Sequence, residues 1–244
     1  MPLFSSSSAA RAATHEHHHR DIQGGAARAA VLGVSDGLVT NVSLILGVAG
    51  ANTSPGNVRL TGVAGLLAGA FSMAAGEYVS MRAQRELLER ELEMEKIELH
   101  RRPAAERAEL TRLYESRGVD PTVAGEMAGE MMRTPELALQ THAREELGVN
   151  PEALGDPIKA STSSAASFAV GAIVPLVPWF VTTGAAAVVA SLVLAALAAV
   201  FIGLALARYT GRSPVRAALR QLAVTVAAAA VTFTIGSLLG AQIN

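Results

Sequence analysis

Apolar residues gather into five long stretches, at 30–50, 60–79, 160–181, 184–206 and 217–243. Each matches the roughly 20 residues that a helix needs to cross a bilayer. The turn-rich Asn52-Thr53-Ser54-Pro55-Gly56-Asn57 divides the first two, and Pro175 and Pro178 predict a kink in the third. Between the second and third stretches the pattern turns polar but stays helical. No Gly or Pro follows Gly76 until Pro103, which predicts one long helix running out of the membrane, with Leu88, Leu92, Glu95 and Leu99 near one face and Ile97 elsewhere. Pro103 predicts a second helix to about Arg117, Asp120-Pro121 a third through Met132, and Thr134-Pro135-Glu136 a fourth ending at Leu147-Gly148. The expected fold is all-α: a five-span transmembrane helical protein with a cytoplasmic helical bundle inserted between spans two and three. Its expected segments are a flexible polar tail (1–27), spans 1–2 (28–81), an acidic helical domain (82–158) and spans 3–5 (159–244).

Charge sharpens this division. Sixteen acidic residues lie between Glu86 and Glu152, whereas 161–207 carries no charge of either sign. A soluble domain mixes charge over its whole surface, so the segregation points to two solvents. With the N-terminus inside, nineteen Lys and Arg residues fall on the cytoplasmic side or at its interface and only Arg59 falls outside, which puts the C-terminus outside. The N-terminal residues 1–23 lack the apolar core of a cleaved signal peptide. The absence of cysteine excludes disulfides, cysteine-based zinc sites and thiol chemistry. The excess of arginine over lysine and the abundant alanine suggest a GC-rich bacterial genome, hence an inner (plasma) membrane. No nucleophile triad, phosphate loop or nucleotide motif is present, so neither an enzyme nor a nucleic-acid partner is expected.

The spans are rich in small residues. Gly33/Gly37, Gly65/Gly69 and Gly236/Gly240 are small-xxx-small pairs, and Ala64, Ala68, Ser72, Gly76 and Ser80 form one ridge at four-residue spacing. Such ridges let helices approach closely in lipid, and a homodimer using some of them is expected.

An ionisable residue inside a span is a functional candidate by default, and Asp36 sits in the first, either on an ion path or as a helix-end cap or partner to a buried arginine. A carboxylate holds either a divalent cation or a proton, so the two compete there. Thr40 and Asn41 offer neutral oxygen nearby, or bond only between helices. Glu77 stands one turn beyond Met73 on the same helix face, either passing ions toward the bundle or anchoring the interface. In the bundle, Glu95/Glu98 and Glu106/Glu109 are i,i+3 pairs and Glu126/Glu130 an i,i+4 pair. Pairs at this spacing either converge on a cation or form a solvated face beside the arginines. Met131 and Met132 either add soft sulfur, which with hard oxygen suits a borderline ion such as Fe(II), or pack in the core. His15-Glu16-His17-His18-His19 either gathers metal or belongs to a disordered tail.

Three runs of residues carry a resemblance to a known family. Ser35-Asp36-Gly37-Leu38-Val39-Thr40-Asn41, Ser72-Met73-Ala74-Ala75-Gly76-Glu77-Tyr78-Val79-Ser80 and Gly171-Ala172-Ile173-Val174-Pro175-Leu176-Val177-Pro178 resemble, in order and spacing, the first-, second- and third-span motifs of the vacuolar iron transporter (nodulin-21-like) family. The resemblance covers 28–244. It implies five spans, a homodimer, and a three-helix cytoplasmic metal-binding domain. It further implies export of Fe(II) and other divalent ions from the cytosol in exchange for protons. The family's translocation-path aspartate and methionine correspond to Asp36 and Met73. Its cytoplasmic glutamates correspond to Glu95, Glu98, Glu106 and Glu109, and its later methionine pair and glutamate to Met131, Met132 and Glu136. A second-span acid of some members falls near Gly65 here. The expected function is therefore a proton-coupled Fe(II)/Mn(II) transporter with transport path Asp36, Met73, Glu77 and Asn41, no permanent cofactor, and divalent metals and protons as partners. The alternatives are a membrane-anchored metal sensor or storage adaptor without transport, and a scaffold whose acidic bundle binds a basic protein.

Overall fold

A computed structural model of the chain describes residues 25–150 and 155–243, so the His15–His19 run lies outside the described residues. Nine helices and no strand occur among them: α1 (Gly25–Gly50), α2 (Pro55–Arg101), α3 (Pro103–Ser116), α4 (Pro121–Met131), α5 (Pro135–Glu145), α6 (Pro157–Ile173), α7 (Pro178–Val181), α8 (Gly184–Thr210) and α9 (Pro214–Ile243). By length and composition, α1, α2, α8 and α9 are each able to cross a membrane.

Proline and a capping side chain start four of the described helices. Ser54, Asp120, Thr134 and Asp156 each accept a hydrogen bond from a first-turn backbone N–H, followed directly by Pro55, Pro121, Pro135 and Pro157. Gly118 follows α3 at φ +90°, a conformation that costs glycine nothing.

The long helix expected after the second apolar stretch is continuous with that stretch. α2 has 47 residues and so is roughly 70 Å long. Its polar half carries Arg82–Glu86 and Arg85–Glu89 ion pairs, each at 2.7 Å, while Leu88, Leu92 and Leu99 are half-buried on the face of the buried Glu95. The third apolar stretch differs from a single kinked span. α6 stops at Ile173, 17 residues long, and 174–177 run as tight turns into the four-residue α7. Pro175 and Pro178 lack the N–H groups that would continue the ladder. The freed carbonyl of Pro175 instead accepts from the buried Ser191 hydroxyl of α8 at 2.7 Å.

α1 is the centre of the apolar region, touching α2, α6, α8 and α9. Leu38, Val42 and Leu46 pack with Ala195, Ala199 and Ile202 of α8 and Ala229 of α9, while Ile45 joins Val58, Leu176, Trp179 and Ala187. The small-residue pairs bring backbones together within the chain. A Cβ on Gly37 would meet the carbonyl of Phe168, one on Gly171 the carbonyl of Val34, and one on Gly236 the carbonyl of Gly47. By contrast, Ala64, Ala68, Ser72, Gly76 and Ser80 are all exposed along α2.

Gly171→Ala is therefore expected to destabilise the detergent-solubilised protein by about 1–3 kcal/mol, the usual cost of overpacking. Gly125→Ala, where a Cβ meets nothing within 4 Å, should be neutral or slightly stabilising. Thermal unfolding of the two variants checks both.

Candidate metal centre and membrane path

Two groups of polar residues are set by this architecture, one in the polar helices and one along α1 and the apolar half of α2. The polar group forms where α2, α3 and α5 meet. α2 brings Glu95 and Glu98. Arg102 ends α2 and precedes Pro103, so α3 starts at once and presents Glu106 in its first turn and Glu109 one turn later. α5 brings His142, with Glu146 at its C-cap. His142 is fully buried, and Glu95 and Glu106 are only 8% and 6% exposed.

His142 Nδ1 lies 3.1 Å from Glu95 Oε1 and 2.9 Å from Glu146 Oε1. Nitrogen and oxygen are close, but Nδ1 and Nε2 of His142 and Oε1 of Glu95 are all buried without an aligned hydrogen bond. One ligand atom from each of Glu95, His142 and Glu146 falls within 4.8 Å of the others. Buried polar atoms ordinarily find partners, so His142 Nδ1 and Glu95 Oε1, which converge beside Glu146 without an aligned hydrogen bond, fit a cation among them. One imidazole nitrogen with carboxylate oxygens suits borderline first-row divalent ions.

The electrostatics describe a wider cluster. Burial pushes the Glu95 carboxyl up to about 7, opposed by His142 and reinforced by Glu146, Glu106 and Glu98. Burial also raises Glu106, helped by Glu109 and Glu98. Glu146 is raised by burial too, with Glu109 and Glu98 adding to it against the pull of His142. Five carboxylates and one imidazole thus share one field, and a divalent cation relieves their repulsion.

Of the bundle residues expected from the sequence, Glu95 converges with His142 and Glu146, Glu106 is buried close enough to feel their charge, and the exposed Glu98 and Glu109 act on the group through charge alone. Met131, Met132 and Glu136 do not join them. Both methionines pack on the apolar cluster of Leu110, Tyr114, Ala124 and Ala128. Glu136 is exposed in the first turn of α5, where an acid favours the helix dipole. The break between α4 and α5 causes this: Met132 caps one helix and Thr134 the next, so spacing along the sequence does not carry across. Glu126 and Glu130 are also exposed, with Glu130 held by Arg133 at 3.1 Å. His142 and Glu146 were missed by the sequence reading. Their signal was available as an i,i+4 His–Glu pair, one face of one helix turn.

The second group follows α1. Asp36 Oδ1 accepts from the Thr40 hydroxyl at 3.1 Å. Asn41 is fully buried and donates from Nδ2 to the Ala172 carbonyl at 2.6 Å, while its Oδ1 has no partner and faces the space left by Gly65. Glu77 pairs with Arg28 at 3.1 Å. With Arg28 paired to Glu77 and Asn41 beside Gly65, the antiparallel register places Met73 about one turn, roughly 5 Å, to the Glu77 side of Asp36.

Apolar helices long enough to span a bilayer, joined to a charged helical bundle, define a multi-pass membrane protein. The profile of the VIT family matches residues 27–237, and the chain belongs to that family. It is 31% identical to vacuolar iron transporter 1 of Eucalyptus grandis over 211 residues, 86% of this chain and 85% of that protein. It is 30% identical to vacuolar iron transporter 1 of Arabidopsis thaliana over 86% of this chain and 84% of that one. It is 41% identical to a vacuolar iron transporter of Acanthamoeba castellanii over 152 residues, 62% of this chain and 54% of the relative.

The raised Glu95 carboxyl has a definite pH consequence. Without metal, the folded chain holds a proton that the unfolded chain has released between pH 4.5 and about 7. This contribution to stability is fully present below 4.5 and is lost as pH rises through about 7. Metal reverses the trend, because the ligands must be deprotonated to hold it. Hydrogen exchange of 86–101 and 135–146 should show strong Mn(II)-dependent protection at pH 8 and little at pH 6. His142→Ala should weaken calorimetric metal binding by the full chain more than about tenfold, the range for losing even an outer-sphere partner.

Proposed function

We propose that this protein is a divalent metal transporter that moves Fe(II), and Mn(II) as well, out of the cytosol in exchange for protons. The observation that carries the reading is the continuity of α2: one unbroken helix bears Glu95 and Glu98 of the buried cluster and, toward the membrane, Glu77 and Met73. The names of the relatives, vacuolar iron transporters, support iron as the cargo. Metal is then substrate, with no permanent cofactor. The bundle, 82–158, captures ions on the cytoplasmic side. Glu77 and Met73 receive them, and Asp36, with Thr40 and Asn41 supplying neutral oxygen, exchanges metal for proton across the membrane.

In this reading α6, the turns at 174–177 and α7 together form the third of five spans. The exposed small-residue ridge Ala64–Ser80 on α2 is the homodimer contact, because the other small pairs are used within the chain. The N-terminus is cytoplasmic, the C-terminus outside, and the membrane is the inner (plasma) membrane. An anchored sensor or storage adaptor accounts for the bundle but leaves Asp36 without a role.

Proteoliposome uptake of Fe(II), Mn(II) and Co(II), with and without a pH gradient, tests the proposal. Asp36→Asn should abolish flux with folding intact. Near-normal proton-coupled flux in that variant would refute the assignment. Met73→Ala should impair Fe(II) and Co(II) more than Mn(II), since its thioether is the soft donor on the path; equal losses would indicate packing.

A further inference from the structure

The Arg28–Glu77 pair is built differently from the other ion pairs. Among the described residues it is the one ion pair that joins two apolar helices; Arg82–Glu86 and Arg85–Glu89 lie within single turns of α2 on its polar half. Its partners are unequally exposed: the Arg28 side chain is 64% accessible and that of Glu77 only 12%. The guanidinium is therefore the open partner, free to swing away from the helix, whereas the enclosed carboxylate loses the one cation paired with it among the described residues when the contact opens. Arg28 also sits in the first turn of α1, where a positive charge opposes the helix dipole, so the helix itself gives no reason for a cation there. Glu77 stands one turn from Met73, at the end of the path nearest the buried bundle cluster.

We infer that Arg28 is a tethered competitor for the metal at Glu77. It occupies the carboxylate between arrivals, and an incoming divalent cation displaces it into water. An arriving ion replaces a single charge by a double one at similar range, which favours exchange. Arginine stays protonated at any working pH, so the competition is constant. Arg28 is thus a positioning residue that sets the affinity of the entrance step and returns Glu77 to a closed state after release. This rests on the transport reading above.

The test uses the full chain in proteoliposomes, with Mn(II) uptake followed against concentration. Arg28→Gln should lower KM about threefold, the scale of a partly exposed pair, and lower Vmax as metal leaves Glu77 more slowly. Arg28→Lys, which keeps the charge, should restore most of the wild-type KM. In a Glu77→Gln background, Arg28→Gln should change neither parameter. A fall in Vmax at unchanged KM, reproduced by Glu77→Gln, would mean that the pair merely ties α1 to α2 and would overturn the inference. A second readout needs no flux: labelling of Arg28 by an arginine-specific dicarbonyl reagent, read by peptide mass spectrometry, should rise with Mn(II) in the wild type and stay constant in Glu77→Gln. Mn(II)-independent labelling in the wild type also overturns it. Mn(II)-dependent labelling in a protein that carries no flux would retain the displacement and refute transport.

Discussion

The structure depends on backbone-to-backbone contact between α1 and α6. Gly33 and Gly37 on one helix and Gly171 on the other leave no room for a Cβ, because each faces a main-chain carbonyl of the opposite helix. In lipid there is no hydrophobic gain from bringing helices together, so close packing must supply the attraction. That approach fixes Asn41 against the Ala172 carbonyl and sets Asp36, between Ser35 and Gly37, at a defined depth and rotation. The same contact orders the broken end of α6, since Phe168, Leu176 and Trp179 are buried against neighbouring helices.

A second constraint acts in the bundle. Burying Glu95 and Glu106 beside His142 is costly for a metal-free protein, which answers by raising its carboxyl pKa values. A cluster arranged for stability alone would pair these acids with arginine. Instead Arg82 and Arg85 pair with Glu86 and Glu89 on the exposed faces of α2, and Arg117 pairs with Glu145 away from the buried group. The buried carboxylates thus face His142 and one another rather than an arginine, and protons and cations compete for them.

α2 relates the two groups. Glu77 and Glu95 lie 18 residues apart on one rigid helix, about 27 Å of rise. The polar half of that helix is reinforced by i,i+4 ion pairs, and its apolar half is held by Ile45, Leu176 and Phe168 against Gly62 and Gly69. A change at the carboxylate–histidine cluster therefore reaches the apolar half of α2 through a continuous backbone, with no loop between them.

The sequence by itself determined the helical class, the segregation into apolar and acidic parts, and most helix starts. Those properties are local: hydrophobic period, Pro at the first helical position and a capping side chain are all contained in a few consecutive residues. It also marked Asp36, because a charge in an apolar run stands out without any partner. Tertiary structure alone brought His142 and Glu146 to Glu95 and Glu106, since the four come from three helices whose relative rotation no spacing encodes. It moved Met131 and Met132 into an apolar cluster and left Glu136 in solvent, because the turn between α4 and α5 resets the helical phase. It likewise turned the Gly33/Gly37 and Gly236/Gly240 pairs inward, leaving the α2 ridge exposed, and joined Arg28 to Glu77 across 49 residues. Which of several equivalent small-residue faces is used depends on how the helices pack, and that is a property of the whole chain.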